Sequence, residues 1–242
     1  MHIPWHPLSF SDRLKVAAAL VLVKLGKLKY DQFTEQELND LLAPYFPQQI
    51  PIPVPIGKAT LSLLEGELSM PESTNRLQLQ LLCGMEVRVL GNPIYRAHLI
   101  VVVSALPDYD CTTKTLSIDT IQVDDMALVH DEYSLLKDTT KIIDSLSPVQ
   151  LSSLFSSPVK SALSVLTAGS STTAIGYLNL YIGGSKQRIL DYHKPQIEEH
   201  IVNAVTAADL NFTLDPAEWR QNLFSRKGKT VVVEGRELRF YF

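Results

Sequence analysis

An α+β fold, with a long, strongly curved antiparallel sheet and a long helix, follows from three observations on this sequence. Residues 77–89 place Leu77, Leu79, Leu81, Cys83, Met85, Val87 and Val89 on one parity, and Gln78, Gln80, Glu86 and Arg88 on the other. That is the period of a strand with one wet face. Two more runs of similar length follow, at 94–106 and 116–127; strands about twice the usual length must coil. Residues 186–207 then switch to the helical period, with Ile189, Leu190, His193, Ile197, Ile201, Ala204 and Val205 on one side.

The strands assemble in order. Ala59, Leu61 and Leu63 mark a shorter first strand, so the four form an antiparallel meander, with Gly91, Asn92 and Pro93 as one of its turns. The second long run is apolar on both parities at Ile100, Val101, Val102 and Val103, which predicts burial on both faces. The third starts with Leu116 and Ile118 on one parity and continues with Ile121, Val123 and Ala127 on the other. A parity change inside one strand predicts a bulge near Asp119 and Thr120.

Before the meander, Thr34 caps a helix over residues 35–43, with Glu37 completing a capping box, Phe33 and Leu38 at the staple positions, and Leu38, Leu41 and Leu42 as its buried face. Pro44 and Pro47 close it, and Pro47, Pro51, Pro53 and Pro55 enforce an extended connector, either a stiff linker or edge segment or a proline-rich ligand. After the meander, residues 131–168 read as helices in pieces, started by Asp131, by Ser147 with Pro148 and by Ser157 with Pro158. A loop at 169–173 and a strand at 177–182 follow. Pro195 predicts a kink in the long helix. A short strand at 211–214, a short helix from Asp215 and Pro216 through Phe224, and a hairpin end the chain. The hairpin arms, 230–234 and 237–242, join at Gly235 and Arg236, with Leu238, Phe240 and Phe242 on one face.

The N-terminal region, 1–30, reads as an amphipathic or membrane-targeting helix ahead of a single α+β domain, 31–242. Arg13 and Lys15 precede the apolar run 16–23, the order of a signal peptide, but no small-x-small cleavage site follows. Eight apolar residues in a helix rise only about 12 Å against the roughly 30 Å of a bilayer core. Leu14, Ala18, Val21, Leu25 and Leu28 form one helical stripe, which either lies in a membrane interface or packs on the domain.

Composition excludes several chemistries. The 242 residues carry a formal charge of −4, with none of the basic excess of a nucleic-acid binder. Cys83 and Cys111 match no zinc or redox spacing, and read as one buried and one exposed thiol or, less simply, as a disulfide. Asp108, Asp110 and Thr112 begin a calcium-loop pattern, but Thr113 stands at the glycine position and Asp119 at the glutamate position. His193 and His200 lie two turns apart, about 10.5 Å, too far for one metal. Gly183, Gly184, Ser185 and Lys186 suit a serine-capped helix start better than a phosphate loop. The serines at 152, 153, 156, 157, 170 and 171 lack nucleophile-elbow glycines. Arg226, Lys227, Lys229, Arg236 and Arg239 make either a solvated face or a contact for anionic headgroups.

Two blocks resemble a known family, the YceB-like lipoproteins of Gram-negative bacteria, a domain of unknown function. Thr34-Glu35-Gln36-Glu37-Leu38-Asn39, just after the targeting-like segment, is similar to the family's Thr-Glu-Gln-Glu-Ile-Asn opening, and the three long strands then run to Val123-Asp124-Asp125-Met126. The second block spans 186–242: a long helix containing Pro195, a short strand, a short helix and a terminal hairpin. Residues 132–185, between the blocks, read as an insertion. Family members carry a lipid-modified cysteine after the signal, whereas no cysteine precedes Cys83 here.

The resemblance implies an architecture similar to the tubular lipid-binding superfamily, in which the long, strongly curved antiparallel sheet wraps the long helix, here with a helical insertion, and with it a non-enzymatic protein of the cell envelope, periplasmic and membrane-associated. Its partner would be a lipid or other hydrophobic small molecule, with a membrane surface as a second contact. The implied groove between sheet and helix is lined by Leu79, Leu81, Val101, Val103, Ile189, Ile197 and Ile201. No catalytic residue, metal or cofactor is expected. The other reading is a structural or protein-interaction module whose groove is filled and whose docking surface is the 132–185 insertion.

Overall fold

The computed structural model describes residues 8–72, 74–89, 92–133, 177, 180, 181, 185–207 and 211–242. Helix α1, Phe10–Lys24, starts at Ser9, whose Oγ accepts from the Asp12 amide at 3.1 Å. Strand β1, Tyr30–Thr34, leads straight into α2, Glu35–Leu42. The expected capping box holds this junction: the Glu37 amide donates to Thr34 Oγ1, and the Thr34 amide donates to Glu37 Oε2 at 2.8 Å. Hydrogen bonds to the Thr34 amide and hydroxyl keep the Glu37 carboxyl below the usual range. A 3-10 turn, Ala43–Tyr45, follows, and Leu41 is exposed rather than part of a buried face. An eight-residue helix presents one narrow seam, which Leu38 and Leu42 occupy.

The proline-rich connector forms an edge strand, β2, Gln48–Ile52, where a missing amide is tolerated. Next come β3, Lys58–Ser69; β4, Leu77–Val89; β5, Asn92–Asp110; and β6, Thr115–Tyr133. Helix α3, Lys186–Ala207, precedes the two-residue β7, Phe212–Thr213. Helix α4, Trp219–Lys227, and the hairpin β8, Thr230–Glu234, and β9, Glu237–Tyr241, complete the fold. Glu218 caps α4, three positions after the predicted cap Asp215, because Asp215 closes a turn on the Ala217 amide instead. Gly235 and Arg236 both take positive φ, 63° and 62°, as the tight hairpin turn requires.

Six strands, in the order β2-β3-β4-β5-β6-β7, make an antiparallel sheet curled into a half-barrel. Bulges supply the bending. The register skips between Leu63 and Glu65, between Val87 and Arg88, and at three places along β5 and β6. One of the three is the predicted parity change: Ser104 pairs with Gln122 and Leu106 with Asp119, while Thr120 sits at φ 51°. Three expectations are corrected here. Ile100 and Val102 are only half-buried, so β5 buries one face fully. Asp131 belongs to β6 instead of capping a helix. Tyr177, Leu180 and Tyr181 are helical and not part of a strand; their i, i+3, i+4 spacing puts them on one helical face. The helices predicted within 134–168 and the loop at 169–173 lie outside the described residues.

Two hydrophobic cores result. The larger joins the concave face of β3, β4 and β5 to Ile189, Ile197 and Ile201 of α3. Helix α3 packs on both β2 and β6, so it spans the open side of the curl. The smaller core lies between α1, α4, the far ends of the long strands and a second sheet, β1-β9-β8. Polar ties lock that sheet in place. Asp31 accepts a bidentate pair from Arg220 at 2.7 and 2.8 Å, with the guanidinium 4.5 Å over the Phe33 ring. Asn75 Oδ1 accepts from the Val233 amide, and Asn39 exchanges two bonds with the backbone of Leu68.

Gly57 stands at φ +84° with the Arg88 carbonyl 2.1 Å from where a Cβ would be, whereas Gly26, at φ +68°, has open space around it. Gly57→Ala should lower the free energy of urea unfolding by more than about 1 kcal/mol and by more than Gly26→Ala does. Equal losses at the two positions would contradict close backbone approach as the cause.

Candidate functional site

The seven groove residues do meet. Leu81, Val101, Val103, Ile189, Ile197 and Ile201 belong to the larger core, and Leu79 packs against it. The six are each at most 4% exposed, so they fill the interior with their own side chains. The expected open trough is therefore closed at these positions. The reason is geometric: β-branched and γ-branched side chains from a curled sheet and a central helix interdigitate at the density of an ordinary core.

An open groove of about 400 Å³ lies alongside, at the seam between α3 and β6. Val123, Pro195 and Val202 give it apolar walls, and Glu198, Glu199 and Asn203 a polar rim. Pro195 lacks an amide and sits on the exposed side of α3, where the lost bond leaves no buried group unsatisfied.

Deeper in, a polar cluster interrupts the apolar interior. Tyr181 Oη lies 2.5 Å from His193 Nε2, and Tyr177 Oη lies 2.8 Å from Tyr181 Oη. The Tyr181 ring also packs on Tyr95 at a centroid distance of 5.4 Å. The two hydroxyls and Nε2 form one chain of hydrogen bonds, in which the His193 tautomer sets whether Nε2 accepts from Tyr181 or donates to it. His193 Nδ1, and Gln196 Oε1 three residues on, are buried without a partner among the described residues. Burial pushes the imidazole down to about 4, against a weaker opposing pull from the Gln196 side chain. Burial likewise pushes both phenols up. The tyrosines were not anticipated; their i, i+4 spacing was the available signal, masked by an apparent alternation at 177–182.

Helix α1 holds the remaining surprise. Val16 and Ala19 are buried, with Leu20 and Val23 half-buried behind them, and the whole face packs on α4 and the smaller core. The stripe singled out from periodicity, Leu14, Ala18, Val21 and Leu25, faces solvent, and only Leu28 joins the core. Both faces of this helix are apolar, so periodicity alone did not choose between them.

The other candidate chemistries resolve into local structure. Asp110 accepts from the Thr112 amide and the Thr113 hydroxyl, and those bonds hold its carboxyl below the usual range. Ser185 Oγ accepts from the Arg188 amide at 3.3 Å, as a helix cap does. Cys83 is buried and Cys111 exposed, both as free thiols, and burial pushes Cys83 up to about 12. Arg236 is bonded to Glu35, and Arg239 to Glu234 and Glu237, so these two arginines serve the hairpin. Among the described residues no group of three or more His, Cys, Asp or Glu is placed to hold a metal ion, and no helix is long and apolar enough to cross a membrane. No protein-family model matches the chain, and no curated protein does.

His193 gives a pH signature. An unfolded imidazole binds a proton near 6.5, whereas the buried one does not until about 4. Stability is therefore full above pH 6.5 and falls as the pH drops through that window. Between pH 6.5 and 5 the loss should be about 2 kcal/mol in urea unfolding, and His193→Gln should flatten most of that slope. An unchanged slope in the variant would remove His193 as its source.

Proposed function

We propose that this chain is a non-enzymatic binding protein of the cell envelope, a diverged relative of the YceB-like lipoproteins with the tubular lipid-binding architecture. Its ligand is a lipid or another hydrophobic molecule, received between α3 and the concave face of the sheet. The observation that carries this reading is the position of α3. It spans the open side of the half-barrel, touching β2 and β6, and it meets the interior through Ile189, Ile197 and Ile201. Those contacts are apolar and non-directional, so an acyl chain can replace them without stranding backbone donors or acceptors. The groove at Val123, Pro195 and Val202 marks where such a chain would enter, and the rim at Glu198, Glu199 and Asn203 offers polar contacts to a headgroup.

One observation favours a second reading, a structural or protein-interaction module. The interior positions are filled, and a filled interior needs no ligand. That module would dock through residues 132–185.

Native mass spectrometry of the gently purified protein should find a co-purifying lipid. Val202→Arg should weaken binding of a fluorescent fatty acid by about tenfold or more, with thermal melting unchanged, since a charge in the groove opposes an apolar chain. A lipid-free protein whose Val202→Arg variant binds the probe as the parent does would leave the module reading. Its own check is deletion of 134–176, which should abolish capture of envelope proteins.

A further inference from the structure

The smaller core carries an inference that stands apart from the ligand reading. Helix α1 uses one face to pack on the domain and leaves the opposite face uncovered. Phe10 is 85% exposed, Leu14 66%, Val21 57% and Leu25 63%. At about 100° per residue these four fall within a stripe roughly 60° wide, and Ala17 and Ala18 lie along its flanks. The inward line of buried Val16 and Ala19 and half-buried Val23 is centred on the far side of the same helix. The stripe and Leu22 together expose on the order of 500 Å² of apolar side chain, the size at which a patch marks an interaction face.

Charge says what covers it. The chain as a whole is acidic, at −4, yet residues 13–30 contain Arg13, Lys15, Lys24, Lys27 and Lys29 and no carboxylate. Lys15 is paired with Asp12 at the start of the helix, which leaves the excess toward its C-terminal end. There a second basic segment converges. Lys29 precedes β1 and Lys229 precedes β8, and these strands flank Tyr241 of β9 on its two sides. Lys227, in the last turn of α4, lies two residues before Lys229, and residues 219–233 also contain no carboxylate. Lysine is depleted in protein–protein interfaces, whereas an apolar helical face bordered by lysines is the pattern of a helix lying in an anionic membrane interface. With 15 residues, α1 is about 22 Å long and suited to lying flat.

We propose that α1 is a peripheral membrane-docking helix: Phe10, Leu14, Val21 and Leu25 enter the headgroup–acyl boundary of an anionic bilayer, and Lys24, Lys27, Lys29 and Lys227 contact its phosphates.

Co-sedimentation of the full chain with vesicles tests this. Phosphatidylcholine vesicles containing roughly 30 mol% phosphatidylglycerol should bind the protein at least about tenfold more tightly than phosphatidylcholine alone, and added salt should weaken the binding. Leu14→Glu combined with Val21→Glu should abolish it, and Lys24→Glu with Lys27→Glu should remove the anionic preference. All four positions are exposed, and unchanged melting temperatures will show that folding is intact. Absence of binding to either vesicle, or equal binding by the Leu14/Val21 variant, would overturn the proposal. So would a dimer in sedimentation velocity that this variant abolishes without affecting vesicles, which would assign the stripe to a second copy. Lipid retained in the interior does not depend on these substitutions, so the ligand reading stands or falls separately.

Discussion

The structure depends on filling the concave side of the curled sheet with the apolar face of α3. Strands of 12 to 19 residues coil, and five register shifts bend them further, so β3, β4 and β5 present a trough lined by Leu61, Leu81, Val87, Leu99 and Val101. An empty trough of that size would be hydrated at large cost. Helix α3 supplies Ile189, Ile197 and Ile201, all fully buried, and each such side chain contributes roughly 2 kcal/mol by its removal from water. The same contacts that stabilise the fold are the ones a hydrophobic ligand would take over. Stability and the proposed binding therefore compete for one surface, and a ligand must match the packing it displaces.

The molecule has two hydrophobic cores, and the two proposed contacts fall on different ones. The larger core, around α3, holds the proposed ligand space, with the Tyr177, Tyr181 and His193 cluster inside it. The smaller core ties α1, α4 and the three-stranded sheet onto the far ends of the long strands through Tyr109, Phe224 and Phe240. Arg220 and Asp31 reinforce that second unit at a half-buried position, where a bidentate pair flanked by an aromatic ring is less screened than at the open surface. Helix α1 packs on the smaller core and α3 on the larger, so the two proposed contacts involve different cores.

Sequence patterns that encode one local geometry were legible. The strict alternation at 77–89 became β4 at the same boundaries, the Thr34 capping box started α2, and the parity change at Asp119 and Thr120 became a bulge with Thr120 at positive φ. Patterns compatible with two geometries were not. Tyr177 to Tyr181 fits both an alternating strand and an i, i+4 helical pair, and only the hydrogen bond between the two hydroxyls, with burial against His193, decides. Helix α1 is apolar on opposite faces, so the choice of Val16 and Ala19 as the buried pair rests on the shape of α4 and its neighbours. The seven groove residues meet in the larger core, but periodicity reports which side chains point inward and is silent on whether they leave space. Strand β1 was missed because its pairing with β9 joins residues about 200 positions apart.

If a ligand is to enter, the apolar contacts that hold α3 in the half-barrel must be exchangeable. Hydrogen exchange by mass spectrometry on residues 186–207, compared with 77–89 as an internal standard, tests it directly. The α3 amides should exchange through an opening of lower free energy than global unfolding, and a long-chain lipid should slow this exchange while leaving β4 unaffected. Exchange of α3 and β4 at one common global rate, indifferent to added lipid, would contradict it.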